Sequence, residues 1–374
     1  MRIRKIDTDN RREAKRFIQF PNDLYRDCPQ WVPLPVSDGL IQLNRKGAYF
    51  SHSDADFFVA EEEDRLLGRL CVLEHRRYND YHNAQDAFFY LFDVIEDFEV
   101  AQALFEAIFE WAAARGLKHI IGPKGFVPFD GIGMLYKGFE HRPAMGVPYN
   151  YEYYNHFLER LGFEKEIDFT SFYVSGNDFR LPERVVRIAQ RVKKRSGLRV
   201  KTFSSRAEVR RWVPAILDVY NRVFMNNWEY VPVLKEEAEE LADRMVPIVQ
   251  PEHIKLILNE QDEIVGFLFT FLDISAALQR TGGKLFPFGW IWLLLERRRT
   301  PWINNNGMGI LEEYRGLGGN AILYYELDKT LQDTRFQHAD LVQMADFVEN
   351  MIADVTTLGA KPYKVHRVYR RSLI

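Results

Sequence analysis

The sequence predicts an α/β (α+β) protein of two tandem domains, each a central mixed sheet flanked by helices. Three observations carry this reading. The chain has 374 residues, more than one ordinary core accommodates. A similar succession of hairpin, strand, helix and strand can be read twice along it. Near the end, a glycine-rich turn at residues 309–321 joins an extended segment to an amphipathic helix.

Apolar residues make up 47% and aromatic residues 14%, enough for well-packed interiors. The net charge of −3 gives no general reason to expect nucleic acid as a partner. Cys28 and Cys71 are the only cysteines, which excludes a disulfide scaffold and suits a reducing compartment. The basic start, Met1-Arg2-Ile3-Arg4-Lys5, is followed by no apolar run, so no signal peptide is expected. The longest apolar run, 285–295, contains Pro287 and is too short to span a bilayer. These features predict a cytoplasmic chain without a membrane span. The nine histidines show no metal-ligand spacing, and no metal is expected.

Taken in order, residues 8–24 have a helical period and lead into a segment made extended by Pro29, Pro33 and Pro35. Residues 56–61 and 66–74 read as a hairpin about Glu62-Glu63-Asp64-Arg65. An almost wholly apolar strand (87–94), a helix (99–115) closed by Gly116 and a strand (119–122) follow. The glycine-bearing stretch 122–138, with Phe126, Phe129 and Tyr136, is expected to cover an interdomain cleft on the acceptor side. A helix from about Tyr149 to Leu161-Gly162-Phe163 and a strand, 168–175, complete the first half. The basic helix 181–194, with Arg184, Arg187, Arg191, Lys193, Lys194 and Arg195, reads as a solvated linker. This divides the chain into 1–178, a linker at 179–198, and 199–374.

The second half opens on a strand at 199–203. Helices (206–225 and 234–249) and a hairpin (254–258 and 264–272) follow. The insertion 275–300 carries Phe286, Phe288, Trp290, Trp292 and then Arg297-Arg298-Arg299. Such aromatic density predicts core or an interdomain seam, or else a wall of an acceptor or acyl pocket.

The turn itself is suited to phosphate. Gly316, Gly318 and Gly319 allow positive φ and close approach of a ligand to the backbone. Free amides at the start of the following helix, with its dipole, favour an anion, and Arg315 adds a fork of donors. Leu323, Tyr324, Leu327 and Leu331 mark that helix. Read as Gly316-x-Gly318-x-x-Ala321 with Asp340 downstream, the turn matches a dinucleotide fingerprint, but it lies too late in the chain for one.

Read as Arg315-x-x-Gly318-x-Asn320, it resembles the acyl-coenzyme A loop of the GNAT superfamily of N-acyltransferases. The following helix, the strand 340–346, Asn350-x-x-Ala353, Leu358-Gly359 and the last strand, 363–369, resemble the family's closing elements. The resemblance implies a tandem GNAT-like architecture. The first half is degenerate, because Ile95-Glu96-Asp97-Phe98 stands where its cofactor loop would be. It further implies an acyl-CoA-dependent N-acyltransferase using acetyl-CoA or another acyl-CoA, with an unknown amine as acceptor. The alternative is a non-catalytic protein that binds acyl-CoA or another phosphorylated ligand as a sensor or scaffold. Carried over residue by residue, the coenzyme contacts fall on Met308, Ile310, Leu311, Arg315, Gly316, Leu317, Gly318, Gly319, Asn320, Ala321 and Asn350.

The family often uses a tyrosine in its last helix as acid, and Met351 to Thr357 contains none. Glu312, Glu313 and Asp346 are candidate bases, with His366 behind them. Asn227, Trp228, Glu229 and Tyr230, in an inter-helix turn, are candidate acceptor contacts. One coenzyme A per chain is expected, held by the second half. A bulky residue at Gly318 is expected to abolish its binding and leave the fold intact.

Overall fold

The computed structural model describes residues 1–373 apart from Phe129, Asn177, Asp178, Ser196, Asp333 and Thr334; the side chain of Leu317 also lies outside what is described. Through the first half the elements are β1 (Arg2–Lys5), α1 (Arg11–Leu24), α2 (Val36–Gln42), β2 (Asp54–Glu62), β3 (Arg65–Glu74), α3 (Arg76–His82), β4 (Asp86–Val94) and α4 (Phe98–Ala113). Then come β5 (His119–Gly122), β6 (Met134–Lys137), α5 (Tyr153–Arg160), β7 (Glu164–Ser175) and α6 (Glu183–Arg195). The second half has β8 (Arg199–Lys201), α7 (Arg206–Phe224), α8 (Lys235–Met245), β9 (Ile254–Leu258), β10 (Ile264–Leu272), α9 (Ser275–Thr281) and α10 (Gly289–Arg299). It closes with β11 (Trp302–Ile310), α11 (Glu312–Tyr314), α12 (Asn320–Leu331), β12 (His338–Ala345), α13 (Glu349–Thr357) and β13 (Lys361–Ser372). No described helix is long and apolar enough to cross a membrane.

Contacts divide the chain into two units that are not contiguous in sequence. One comprises Met1–Phe169, Ser275–Glu296 and Lys364–Ile374; the other comprises Thr170–Ile274 and Arg297–Tyr363. β7 and β13 each begin in one unit and finish in the other. The helix α6 belongs wholly to the second unit.

In the first unit the strand order is β1-β2-β3-β4-β5-β13, with β6 paired to β13. The β2/β3 hairpin follows from two apolar runs about a polar turn at Glu63-Asp64, and Phe57 opposite Cys71 sits at its buried centre. α4 starts at Asp97, whose carboxylate accepts the Glu99 N–H at 2.9 Å. Its Leu104, Phe105 and Ile108 are fully buried, and Phe105 meets Phe89 edge to face at 5.3 Å. Each such ring contributes about 1.5–3 kcal/mol by leaving water. The 122–138 stretch is built into this unit. Its residues 134–137 are strand β6, and Asp130 accepts the Phe126 and Val127 N–H groups at 2.9 and 3.1 Å. Phe129, expected in a cover, lies outside the described residues.

In the second unit the order is β7-β12-β11-β10-β9-β8. α7 lies close on β11 because Gly309 has no side chain; a Cβ there would stand 2.3 Å from Val223 Cγ1. Phe224, Tyr220 and Phe267 pack beneath that helix. On α12, Leu323, Leu327 and Leu331 are buried, as their spacing requires.

Candidate active site

β11 and β12 run parallel from Trp302 opposite His338 to Asn305 opposite Leu341, and their ladder stops there. Past that point β11 is paired on its other side, to β10, through Gly266 opposite Ile310. The Leu311 N–H donates to the Val265 carbonyl at 2.8 Å. Backbone groups alternate along a strand, so those of Met308 and Ile310 turn away from β10. Among the described residues no strand pairs with that edge past Asn305, where an extended ligand could add, although Arg315 reaches the Ile310 carbonyl.

The residues at the parting are polar and buried. Phe269 stands opposite Gly307 and Thr270 opposite Asn305, so Asn306 is an extra, bulged residue of β11. Asn304 and Asn305 are almost completely buried. Among the described residues, Asn304 Nδ2, Asn305 Oδ1 and Asn306 Oδ1 have no hydrogen-bond partner in the protein. A buried amide left unmatched costs about 1–3 kcal/mol. Three in succession make poor sense for stability alone; since side chains alternate along a strand, Asn304 and Asn305 put unmatched polar atoms on opposite faces of the sheet, where a ligand's polar atoms could meet one or the other.

Two hydrogen-bonded pairs border them. Tyr363 donates its hydroxyl to Asp340 Oδ2 at 2.5 Å, and Asp340 stands opposite Asn304 in the ladder. Burial, followed by the charge of Asp340, pushes the Tyr363 phenol well above its ordinary value, so it keeps its proton. The Tyr173 hydroxyl lies 2.7 Å from His338 Nδ1, and Trp302 stacks on the same imidazole at 4.5 Å. Burial holds His338 below its usual value, which favours the neutral ring. The neutral imidazole can take up a proton, and the phenol, which holds its own firmly, can serve as a hydrogen-bond donor.

Immediately after β11 the chain turns helical at α11. The helical path continues through Arg315–Gly319 and breaks at Gly318, with φ 86° and ψ 14°. Glu312 and Glu313 occupy the first turn, where carboxylates complement the dipole. Gly318 is required twice. Its φ favours glycine, and a Cβ there would stand 2.7 Å from Val192 Cγ2 and 3.1 Å from Ile188 Cγ2 of α6. The expectation that a bulky residue at Gly318 leaves the fold intact is therefore corrected, because it would displace α6. That helix, read from the sequence as a solvated linker, packs on α12 and on the turn.

No protein-family model matches the chain. Its fold matches a tandem GNAT protein from the clavulanic acid biosynthesis pathway with a TM-score of 0.59 and 10% identity, over 100% of this chain and 98% of that one. The chain has the tandem GNAT fold. A GCN5-related glucosamine N-acetyltransferase region of a fungal multi-domain β-N-acetylglucosaminidase matches at TM-score 0.58 and 12% identity, over 99% of this chain and 38% of that one. A GCN5-related N-acetyltransferase from Sphaerobacter thermophilus matches at TM-score 0.50 and 14% identity, over 100% and 95%. Two curated proteins are similar in sequence along nearly their whole length. Protein YghO of Escherichia coli K12 is 25% identical, over 97% of this chain and 94% of that protein. A bacterial ceramide synthase of Caulobacter vibrioides is 24% identical, over 96% and 95%.

Within the GNAT fold, the residues singled out from sequence fall in several places. Met308 and Ile310 lie on the open edge of β11. Leu311 uses its N–H toward Val265 and its carbonyl toward the Tyr314 N–H. Arg315 is exposed, and its Nε donates to the Ile310 carbonyl at 3.3 Å. Gly316 and Leu317 belong to the turn, and the Leu317 side chain lies outside what is described. Gly319 is buried against Ile310, Asn320 and Ala321 begin α12, and Asn350 is exposed on α13.

Glu312, Glu313 and Asp346 are all exposed, and Glu313 pairs with Arg222 at 2.9 Å. Asn227, Trp228, Glu229 and Tyr230 form the turn after α7, closed by the Tyr230 N–H on the Asn227 carbonyl at 3.2 Å. His366 belongs to the first unit, fully buried with Nε2 3.0 Å from the Pro148 carbonyl. Burial lowers its pKa to about 3, so its ring stays neutral and is a weak base. Sequence reading missed Asn304, Asn305, Asn306, His338, Tyr173 and Tyr363, and it weighed Asp340 only as a ribose acid. The run of three asparagines inside a strand was a usable signal, because asparagine is depleted in strands.

The first unit treats the corresponding edge differently. The Val94 N–H donates to the Tyr154 hydroxyl at 2.9 Å, and the Tyr153 hydroxyl donates to the Val94 carbonyl at 2.7 Å. Tyr25 donates to the Tyr154 hydroxyl at 2.9 Å. The end of β4 is thus closed by phenols, and the helix after it is capped by its own Asp97.

Proposed function

We propose that the chain is an acyl-CoA-dependent N-acyltransferase working from its second unit. The observation that carries the reading is the parting of β11 from β12 at Asn304, Asn305 and Asn306, the first two buried and the third half-buried, followed by Arg315 and the glycine turn. The backbone of Met308 and Ile310 would hold the pantetheine arm. Arg315 and the amides from Gly316 to Ala321 would hold the pyrophosphate, with α6 and its basic residues alongside. The first unit, closed by Tyr153 and Tyr154 and carrying Glu96 and Asp97, would support the fold without a second coenzyme. No metal and no nucleic acid enters this reading, and a cytoplasmic location fits the two free cysteines.

Transfer requires three events: an amine loses a proton, an oxyanion is stabilised, and a thiolate is protonated on leaving. The bulge at Asn306 offers backbone and amide donors for the oxyanion. His338 or Asp340 would accept the amine proton, and that proton would pass to the thiolate as it leaves, with Tyr363 as a neutral hydrogen-bond donor beside Asp340. We favour these groups over the exposed Glu312, Glu313 and Asp346, because burial strengthens their electrostatic effect. The turn at Asn227 to Tyr230 would contact the acceptor.

Similarity to a protein named a bacterial ceramide synthase supports a long-chain amine as acceptor, since a ceramide is the amide of such an amine. The test is release of free thiol from acetyl- and long-chain acyl-CoA over a panel of hydrophilic and long-chain amines, with the amide identified by mass. Amine-dependent release supports the enzyme. Tight coenzyme binding with no release from any pair would instead support the sensor or scaffold.

A further inference from the structure

We infer that the α9–α10 hairpin is a docking surface for anionic lipid bilayers. This goes beyond acyl transfer and does not rest on it. The sequence led to an expectation of core or an interdomain seam, or else a pocket wall, for this insertion, and the exposed side chains overturn the core. α10 has no buried residue, although its first seven positions after Gly289 include Trp290, Ile291, Trp292 and three leucines. Phe286 is 89% exposed and Phe288 71%. Trp290, Ile291, Trp292 and Leu294 are exposed as well. Six of the thirteen exposed large apolar side chains among the described residues thus fall between positions 286 and 294. Singly scattered apolar residues need no explanation, but a cluster of this density marks an interaction surface.

The hairpin is held firmly at its base. The Val36 N–H donates to the Gly283 carbonyl at 3.1 Å, and Gln279 Nε2 donates to the Pro29 and Trp31 carbonyls at 2.7 and 2.8 Å. The aromatic tip is therefore displayed by a fixed stem.

Charge decides the occupant. Arg280 and Lys284 precede the apolar stretch, and the same helix ends in Arg297, Arg298 and Arg299; Glu296 is the only acid from 280 to 299. This basic concentration stands in a chain whose net charge is −3. Arg280 lies 4.2 Å from the centre of the Trp292 ring. Tryptophan and phenylalanine flanked by arginine and lysine suit the headgroup boundary, with rings among the acyl chains and cations at lipid phosphates. Eleven residues of helix measure about 16 Å, too short to cross about 30 Å of hydrocarbon. The helix would lie in the interface.

The experiment is co-sedimentation of the full chain with phosphatidylcholine vesicles, with and without phosphatidylglycerol, at low and high salt. The expected result is binding that rises about tenfold or more with the anionic lipid and weakens with salt. Phe286→Ser with Phe288→Ser should abolish it, with the thermal midpoint unchanged because both positions are exposed. Arg298→Glu with Arg299→Glu should remove the anionic preference. Failure to bind either vesicle would overturn the proposal, as would binding that is indifferent to the phenylalanine pair. So would sedimentation equilibrium showing a dimer that the serine pair dissociates, which would assign the surface to a second copy of the chain.

Discussion

Tyr363 and Asp340 are 23 residues apart in sequence and meet at 2.5 Å, phenol to carboxylate, beside the point where β11 leaves β12. Tyr363 lies on β13 and Asp340 on β12, and Tyr173 of β7 stands near, its ring 5.9 Å from that of Tyr363. A protonated phenol is thereby fixed in a buried polar setting. Tyr363→Phe should slow acyl transfer roughly 100-fold or more, with little change in coenzyme affinity. Loss of the hydrogen bond should also lower stability by about 1 kcal/mol. Thiol-release kinetics beside calorimetric binding separates the two effects, and an unchanged rate would remove Tyr363 from the chemistry.

Coenzyme A should bind once per chain. In the second unit a pyrophosphate meets Arg315 and the turn amides; in the first it would meet Glu96, Asp97 and an edge already closed by two tyrosines. Arg315→Glu should weaken binding by tenfold to a hundredfold or more, since a charge-assisted hydrogen bond contributes about 1.5–3 kcal/mol. Titration calorimetry reads both numbers. Two equal sites, or a site that survives Arg315→Glu, would show that the wrong unit was chosen.

Gly318→Val should destabilise the protein as well as its binding site. The new side chain takes a left-handed φ and meets Val192 of α6, a combination worth about 1–3 kcal/mol. Gly318→Ala should cost less, because it lacks the branch at Cβ. Thermal unfolding of both variants checks this; a midpoint unchanged in Gly318→Val would contradict the packing of α6 on the turn.

Acid should destabilise the first unit through two buried histidines. Burial lowers His75 and His366 to about 3, below the ordinary 6.5. Between those values the unfolded chain binds more protons than the folded one, so stability falls as pH drops from about 6.5 toward 3. Each group contributes up to about 1.4 kcal/mol per pH unit in that window. His75 Nδ1 accepts the Tyr78 N–H at 3.1 Å, which also requires the neutral ring. Denaturant titrations from pH 7 to 4 should show a shallower loss in His75→Gln and His366→Gln. An unchanged slope in both would reject the assignment.

Much of the fold was legible because its signals are local. The hairpin β9/β10 was read from apolar runs about a polar turn with the bounds it has in the structure, and α4 was read from its period and its glycine stop. The glycine-rich turn was legible for the same reason, since three glycines, an arginine and a helical period lie within a few residues. The helical path from Glu312 was not, because both an open loop and a tight turn accept that composition.

The sequence by itself determined the α/β class, the twofold succession of elements and the turn at Arg315, all of which follow from contacts between residues close along the chain. Tertiary structure decided the rest. Asn304, Asp340 and Tyr363 come together only because strands far apart in sequence are placed side by side, and no spacing rule encodes that. His366 was withdrawn from the site because most of β13 serves the first unit. The insertion at 286–294 reads as core by hydrophobicity alone, and only the fold decides whether another element covers it. Hydrophobicity fixes that such a surface must be covered, but the path of the chain fixes by what.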